Sequence, residues 1–278
     1  MFSQLDKPLI MGILNVTPDS FSDGGKYTCI NEALQQVERM LAEGVDIIDI
    51  GGESTRPGSD PVTAIDQQQR VVPVITAIRQ QLKSDILISI DTTSSAVARA
   101  ALAAGANIIN DVSAGQDDQA ILALAAQTAV PIILMHSQGT PKTMQDNPYY
   151  DDVVLEVIHS LKKRTDAALK AGIKKENIVL DPGIGFGKRK QDNLDLLAHL
   201  DVLAVLGYPV LLGTSRKRFM GTLCDVTEPS ELITATAVTT ALGVMAGVRI
   251  FRVHDVKENR QAADVAWAIK QSRHPRSQ

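Results

Sequence analysis

Val248-Arg-Ile-Phe-Arg-Val-His-Asp255 is a short β-rich run whose alternate residues Ile250, Arg252 and His254 share one face. A face that begins apolar and turns cationic suits the inner wall of an enzyme barrel, packed below and chemical above. Seven comparable runs precede it: Ile10–Val16, Val45–Gly51, Ile86–Asp91, Asn107–Val112, Val130–His136, Asn177–Asp181 and Pro209–Thr214. Amphipathic segments lie between them: Asn31–Glu43, Thr63–Leu82, Ser95–Ala104, Asp117–Ala126, Asp151–Ala171 and Ser230–Ala246. A looser one falls in Asn193–Leu206 and an eighth follows Val256. Strands alternating with helices imply a parallel sheet, and eight such units imply closure into an α/β fold, the (β/α)8 TIM barrel.

Polar residues end all eight runs. They are Asn15, Glu53-Ser-Thr-Arg56, Asp91, Asn110-Asp111, His136, Asp181, Ser215-Arg-Lys217 and Arg252-Val-His-Asp255. Parity places Asn110 on the face of Ile108 and Asp181 on the face of Val179, so inward polar side chains converge on one mouth. An open doubly wound sheet would gather them at a single switch point instead. Helix capping accounts for one such residue, but not for carboxylates, amides and cations at eight ends together.

No Pro/Gly/Ser-rich linker or composition break divides the chain, so residues 1–278 are expected to form a single domain. Hydrophobic residues make up 44% of the 278 and charged residues 22%, enough for one large core. A net charge of −4 argues against nucleic acid as a partner while leaving room for a local basic pocket. Cys29 and Cys224 show no disulfide or zinc spacing, which fits a reducing cytoplasm. Met1-Phe-Ser-Gln-Leu-Asp-Lys7 lacks the basic start and apolar core of a signal peptide. Leu232–Val248 is uncharged, but its 17 residues include four threonines, short of the roughly 20 apolar residues of a span. It is expected to be a buried helix, and no membrane partner is expected.

Asn15-Val-Thr-Pro-Asp-Ser-Phe-Ser-Asp-Gly-Gly25 and Gly51-Gly-Glu-Ser-Thr-Arg-Pro-Gly58 closely resemble the first two loops of dihydropteroate synthases. Ser89-Ile-Asp-Thr92, Ile109-Asn-Asp111, Asp181-Pro-Gly-Ile-Gly-Phe-Gly-Lys188, Ser215-Arg-Lys217 and Arg252-Val-His-Asp255 continue the match in register. The likeness runs from Ile10 to Glu258. Three positions depart from the family pattern: Ser137 stands where methionine is usual and Ile184 where phenylalanine is common. The third, Thr93-Ser-Ser95, lacks the usual basic residue. Ile184 is expected to pack beneath the aminobenzoate and so to bear on sulfonamide sensitivity.

The resemblance implies joining a pterin-methyl diphosphate to 4-aminobenzoate. A pterin edge carries adjacent N–H donors, which a carboxylate meets with two directional hydrogen bonds. By resemblance Asp181 takes that role, with Asn110, Asp91 and Lys217 around the rings. Thr55, Pro57, Phe186, Gly213 and Ser215 complete the substrate contacts, Phe186 flanking the aminobenzoate. Asn15 matches the family's Mg²⁺ contact; a hard cation of this kind takes few protein oxygens beside phosphates and waters. Arg56, Arg252 and His254 are the candidate diphosphate contacts, Arg252 and His254 serving the leaving group alone; with Asp19 of the first loop and Lys217 they are the expected catalytic residues. No enzyme nucleophile is needed, since orientation and charge stabilisation suffice for a delocalised cation.

Gly183-Ile-Gly-Phe-Gly-Lys188 has neither dinucleotide nor Walker spacing, and is expected to let backbone approach the substrates. Thr17–Tyr27 and Thr55–Asp60 read as mobile lids. Ser230–Ala246 is apolar around much of its circumference, with Thr234, Val238, Ala241 and Met245 assigned outward. With the resemblance, this implies a homodimer through the last helices. The rivals are a pterin-binding methyltransferase barrel, which binds no diphosphate, and a non-catalytic pterin-binding paralogue.

Overall fold

The computed structural model describes residues 6–17, 25–54, 58–82, 85–140 and 142–272. Each β-branched run forms a strand: β1 Leu9–Asn15, β2 Ile47–Gly51, β3 Leu87–Asp91, β4 Ile108–Asp111, β5 Ile132–Met135, β6 Ile178–Asp181, β7 Leu211–Leu212 and β8 Ile250–Val253. All neighbours pair in parallel, in the order β6-β5-β4-β3-β2-β1-β8-β7. A bridge between Leu180 and Val210, with the Leu180 N–H donating to the Pro209 carbonyl at 2.9 Å, closes β6 onto β7. The barrel is therefore complete, as the alternation of elements predicted.

The helices are α1 Gly25–Ala42, α2 Ala64–Gln81, α3 Ser95–Ala104, α4 Ala120–Thr128, α5 Val153–Lys170, α6 Lys190–Ala198, α7 Leu200–Ala204, α8 Arg218–Cys224, α9 Ile233–Ala246 and α10 Val256–Gln271. Thr63 and Asp152 cap α2 and α5 with their side chains, so both starts are legible in sequence. Four expectations shift. The loose sixth helix is two helices, α6 and α7. Helix one begins at Gly25 rather than Asn31. The seventh-helix segment starts later, Pro229–Glu231 being a 3-10 turn. Finally α8 is not among the expected helices, and Cys224 is its last residue.

The described residues form two hydrophobic clusters. Inside the barrel, Met11, Ile47, Ile108, Ile133, Val179, Leu211 and Ile250 form one apolar layer. Outside it the opposite strand faces, among them Ile48, Ile90, Ile109, Leu180 and Phe251, pack with the helices. Parity thus sorts each strand between two cores. Helix α9 sorts its residues the other way from a usual surface helix. It buries Thr236 and Thr240 and exposes Val238 (53%) and Leu242 (61%). The buried threonines are satisfied: Thr236 donates to the Leu232 carbonyl at 2.8 Å and Thr240 to Asn259 Oδ1 at 2.6 Å. No described helix is long and apolar enough to cross a membrane.

Candidate active site

One inward step above the apolar layer the barrel turns polar. Asp49 on β2, Asn110 on β4, Asp181 on β6 and Arg252 on β8 share the inward face with Ile47, Ile108, Val179 and Ile250. On β3 the inward positions Ser89 and Asp91 follow Leu87. Arg252 Nε donates to Asp49 Oδ2 at 2.6 Å, and Nη2 donates to Asp91 Oδ2 at 2.7 Å. Asn110 Nδ2 donates to the same Asp49 oxygen at 3.2 Å. Asp181 Oδ1 accepts from the Gly183 N–H at 2.7 Å, so it caps its own turn as well as facing the mouth. Asp49 was not singled out in the sequence, although the parity rule applied to Ile47 would have found it.

Burial sets the electrostatics. Desolvation pushes the Asp181 carboxyl up to about 6, against the Gly183 hydrogen bond and the Lys217, Lys188 and Arg252 charges. It pushes Asp91 up to about 7, with Arg252 opposing and Asp49 reinforcing. Burial also disfavours the Arg252 charge, but Asp49 and Asp91 outweigh it and move its pKa upward. Arg252, expected to serve the diphosphate alone, is thus tied into the floor by two carboxylates.

Above the floor the loops after β6, β7 and β8 meet. Lys217 Nζ sits 4.2 Å from the centre of the Phe186 ring, within cation–π range. Ser215 Oγ accepts from the His254 N–H at 3.1 Å and shares a 2.9 Å hydrogen bond with His254 Nδ1. Arg216, in the left-handed region at φ 59°, forks onto Asp255 at 3.1 and 2.6 Å. That clasp fixes the direction in which the neighbouring Ser215 and Lys217 leave the turn. Gly213 meets nothing closer than Arg252 Cβ, 3.9 Å from where its own Cβ would stand. Asn15 ends β1 with its Oδ1 lying over Gly51 of β2. Asp19, Thr55, Arg56 and Pro57 fall outside the described residues, as do residues 18–24 of the first proposed lid and 55–57 of the second.

This arrangement offers carboxylates and an amide to ring donors, an aromatic face, and cations near the mouth. The pterin binding enzyme family model matches residues 11–254. The chain is 52% identical over 257 residues to the dihydropteroate synthase of Streptococcus pyogenes, covering 92% of this chain and 93% of that one. The chain belongs to the dihydropteroate synthases. It is a transferase of folate biosynthesis that condenses (7,8-dihydropterin-6-yl)methyl diphosphate with 4-aminobenzoate to give 7,8-dihydropteroate and diphosphate. The Yersinia pestis dihydropteroate synthase, solved with a sulfonamide drug complex, superposes with a TM-score of 0.90 at 43% identity, covering 96% of both chains. The Xanthomonas albilineans enzyme, solved in complex with 7,8-dihydropteroate, gives 0.86 at 42% identity, covering 96% of this chain and 95% of that one.

Within this dihydropteroate synthase several strand-end residues build loops instead of lining the mouth. Glu53 accepts from the Val62 N–H at 2.8 Å and from Gln67 Nε2 at 3.0 Å. Asp111, on the outward face of β4, accepts from Ser113 N and Oγ and from Gly115 N. His136 Nδ1 pairs with the buried Lys188 Nζ at 2.9 Å, and Lys188 also donates to the Gly183 and Phe186 carbonyls. With Lys188 the donor, the neutral imidazole carries its proton on Nε2, and burial beside that lysine pushes its pKa down to about 3.

Two of the three glycines of Gly183–Lys188 correct the sequence reading. Gly183 and Gly187 both have positive φ. A Cβ on the first would collide with the His136 carbonyl oxygen, and on the second with that of Gln138. The close approach they permit is between two loops of the protein rather than to a substrate. Ile184 is likewise displaced from its expected place: it is 1% exposed and belongs to the helix–strand core. Ser137 donates to the Val112 carbonyl at 3.2 Å, another loop-to-loop bond.

Proposed function

We propose that the polar floor of the barrel holds the pterin while the rim holds the diphosphate and the aminobenzoate. The observation that carries this reading is Asp91, Asn110, Asp181 and Arg252, drawn from four strands onto one floor beside Lys217. Asp181 accepts from the pterin's adjacent N–H donors, Asn110 and Asp91 bond the remaining ring edges, and Lys217 donates to a carbonyl or ring nitrogen. Phe186 flanks the aminobenzoate, with Ser215, Gly213, Thr55 and Pro57 as further contacts. Asp19, Arg56 and His254 attend the leaving group, and Arg252 reaches it from the floor.

The C–O bond to the diphosphate breaks, the diphosphate keeping the electron pair. The methylene cation left behind is delocalised over the pterin. The aminobenzoate nitrogen attacks it, then loses its extra proton. The protein's part is orientation and a preorganised field. No cluster of metal-ligating side chains occurs among the described residues. The lone amide oxygen of Asn15 nevertheless suits a cation held mainly by diphosphate and water. Mg²⁺ bound there would neutralise charge on the leaving group.

Both cysteines are free, which supports a cytoplasmic location. A homodimer is supported by an apolar groove between α9 and α10, lined by Ala237, Ala241, Leu242, Met245, Val265 and Ile269. Thr234, Val238 and Leu242 are the exposed positions of α9, while Ala241 and Met245 are half-buried. Light scattering at twice the 29.9 kDa chain mass is the expected result. The likeness to the Yersinia pestis complex supports sulfonamides as inhibitors here. The deciding experiment is diphosphate release from the pterin diphosphate and 4-aminobenzoate with Mg²⁺, omitting each substrate in turn. Release that needs both confirms the synthase; pterin binding without release leaves the non-catalytic paralogue.

A further inference from the structure

Asp49 takes no part in the roles just described, yet two of the pocket's residues hang on it. We infer that Asp49 is a positioning residue that fixes which end of the Asn110 amide, and which orientation of the Arg252 guanidinium, the pocket presents to the pterin. This deepens the pterin-pocket reading and rests on it.

The side chain is fully buried, and its Oδ2 accepts from Arg252 Nε at 2.6 Å and from Asn110 Nδ2 at 3.2 Å. A carboxylate oxygen can only accept, so the amide end that faces it must be the NH₂ end. The Asn110 carbonyl is thereby turned away from Asp49 and serves as an acceptor for the pterin's 2-amino group, whose second hydrogen Asp181 does not take. Without that partner the amide could flip at little cost and present donors to the same edge. Arg252 is held at two corners of its planar fork, by Asp49 and by Asp91. The cluster also differs from a structural ion pair, which would satisfy its oxygens on both sides. Here Asp49 Oδ1, Asp91 Oδ1 and Ser89 Oγ are buried without a hydrogen-bond partner. A network left half satisfied weakens the fold, and its acceptors suit a ligand carrying N–H donors.

The test is calorimetry on the intact enzyme with two probes, a 2-aminopterin analogue and its counterpart lacking the amino group. Asp49→Asn is expected to weaken the amino-bearing ligand roughly 10- to 100-fold and to erode its preference over the other. The loss should be non-additive with Asn110→Ala, because both act through one contact. KM for 4-aminobenzoate at saturating pterin diphosphate should stay within about two-fold, whereas a general loosening of the barrel would move it too. Unchanged affinity, equal loss for both probes, or additive losses would overturn the inference. Should Asp49→Asn fail to fold, the wild-type chain still decides. One Asn110 side-chain amide proton, assigned by its loss in Asn110→Ala, must be protected from solvent exchange, and a freely exchanging one refutes the idea. If Asp181→Asn also leaves pterin affinity unchanged, it is the pocket assignment that fails. If Asp181→Asn weakens binding and Asp49→Asn does not, only the role of Asp49 falls.

Discussion

In the lower layer of the barrel Ile47, Ile108, Val179 and Ile250 pack against one another, while one inward step along the same strands stand Asp49, Asn110, Asp181 and Arg252. The two layers are about 7 Å apart at the usual rise per strand residue. The lower layer is apolar, while in the upper one Asp49 Oδ1, Ser89 Oγ and Asp91 Oδ1 are buried without partners. The same apolar surroundings that stabilise the first raise the carboxyl pKa values of the second. Stability and binding are therefore assigned to adjacent turns of the pleat, and substitutions in the two layers should separate them.

The largest effect is expected from the lower layer. Ile250→Ala leaves a cavity among side chains that cannot collapse, and should cost about 2–5 kcal/mol of unfolding free energy. Pterin-analogue affinity, measured well below the melting transition, should change only a few-fold. A variant that kept its stability but lost its affinity would erase the division between the layers. Asp181→Asn tests the upper layer with the opposite signature. Exchanging an acceptor oxygen for a donor should cost about 1.5–3 kcal/mol of pterin affinity by calorimetry. Stability should hold or rise, because a desolvated charge is removed while the Gly183 turn bond can persist. Parallel losses of affinity and melting temperature would move Asp181 among the structural residues.

The eight strands were legible because each is a short, nearly continuous apolar run, buried on both faces and ended by polar residues. Two helix starts were legible too, since Thr63 and Asp152 announce theirs. What escaped did so for physical reasons. Attention to the last residue of each strand found Asp91 and Asp181 but passed over Asp49, which lies two residues before the end of β2. It also admitted Asp111 and His136, whose outward side chains build loops. Helix α8 is seven residues long, too short for a periodic signal. The inverted face of α9 depends on Asn259 of α10 meeting Thr240, a partner 19 positions away that no local pattern reveals.

A smaller effect comes from pH. With its carboxyl raised to about 6, Asp181 holds a proton at a pH where an ordinary aspartate has lost it. The protonated form gives up an acceptor, so pterin-analogue affinity should fall as pH drops through 6 and recover above it. The slope is at most about tenfold per unit, about 1.4 kcal/mol. Asp91, pushed up to about 7, would start the decline earlier if it too must be ionised. In Asp181→Asn the limb near pH 6 should flatten. Wild-type affinity that is level from pH 7 to 5 would contradict the burial of these carboxylates.

The smallest effect separates the inner floor from the outer core within a single loop. Gly183 and Gly185 flank Ile184 with φ of 66° and 82°, so the backbone reverses on either side of it. The Ile184 side chain is thereby sent into the helix–strand core, while Phe186 lies beside Lys217. Ile184→Val removes one methyl group from that core and should cost about 0.5–1.5 kcal/mol of stability. KM for 4-aminobenzoate and inhibition by a sulfonamide should not move, because the lost methyl faces helices rather than substrate. Phenylalanine, common in the family at this position, would have to fit the same outer space, so Ile184 is a packing variant and not a specificity variant. A rise in KM with the melting temperature unchanged would reverse that conclusion. It would return Ile184 to the aminobenzoate pocket, where the sequence had placed it.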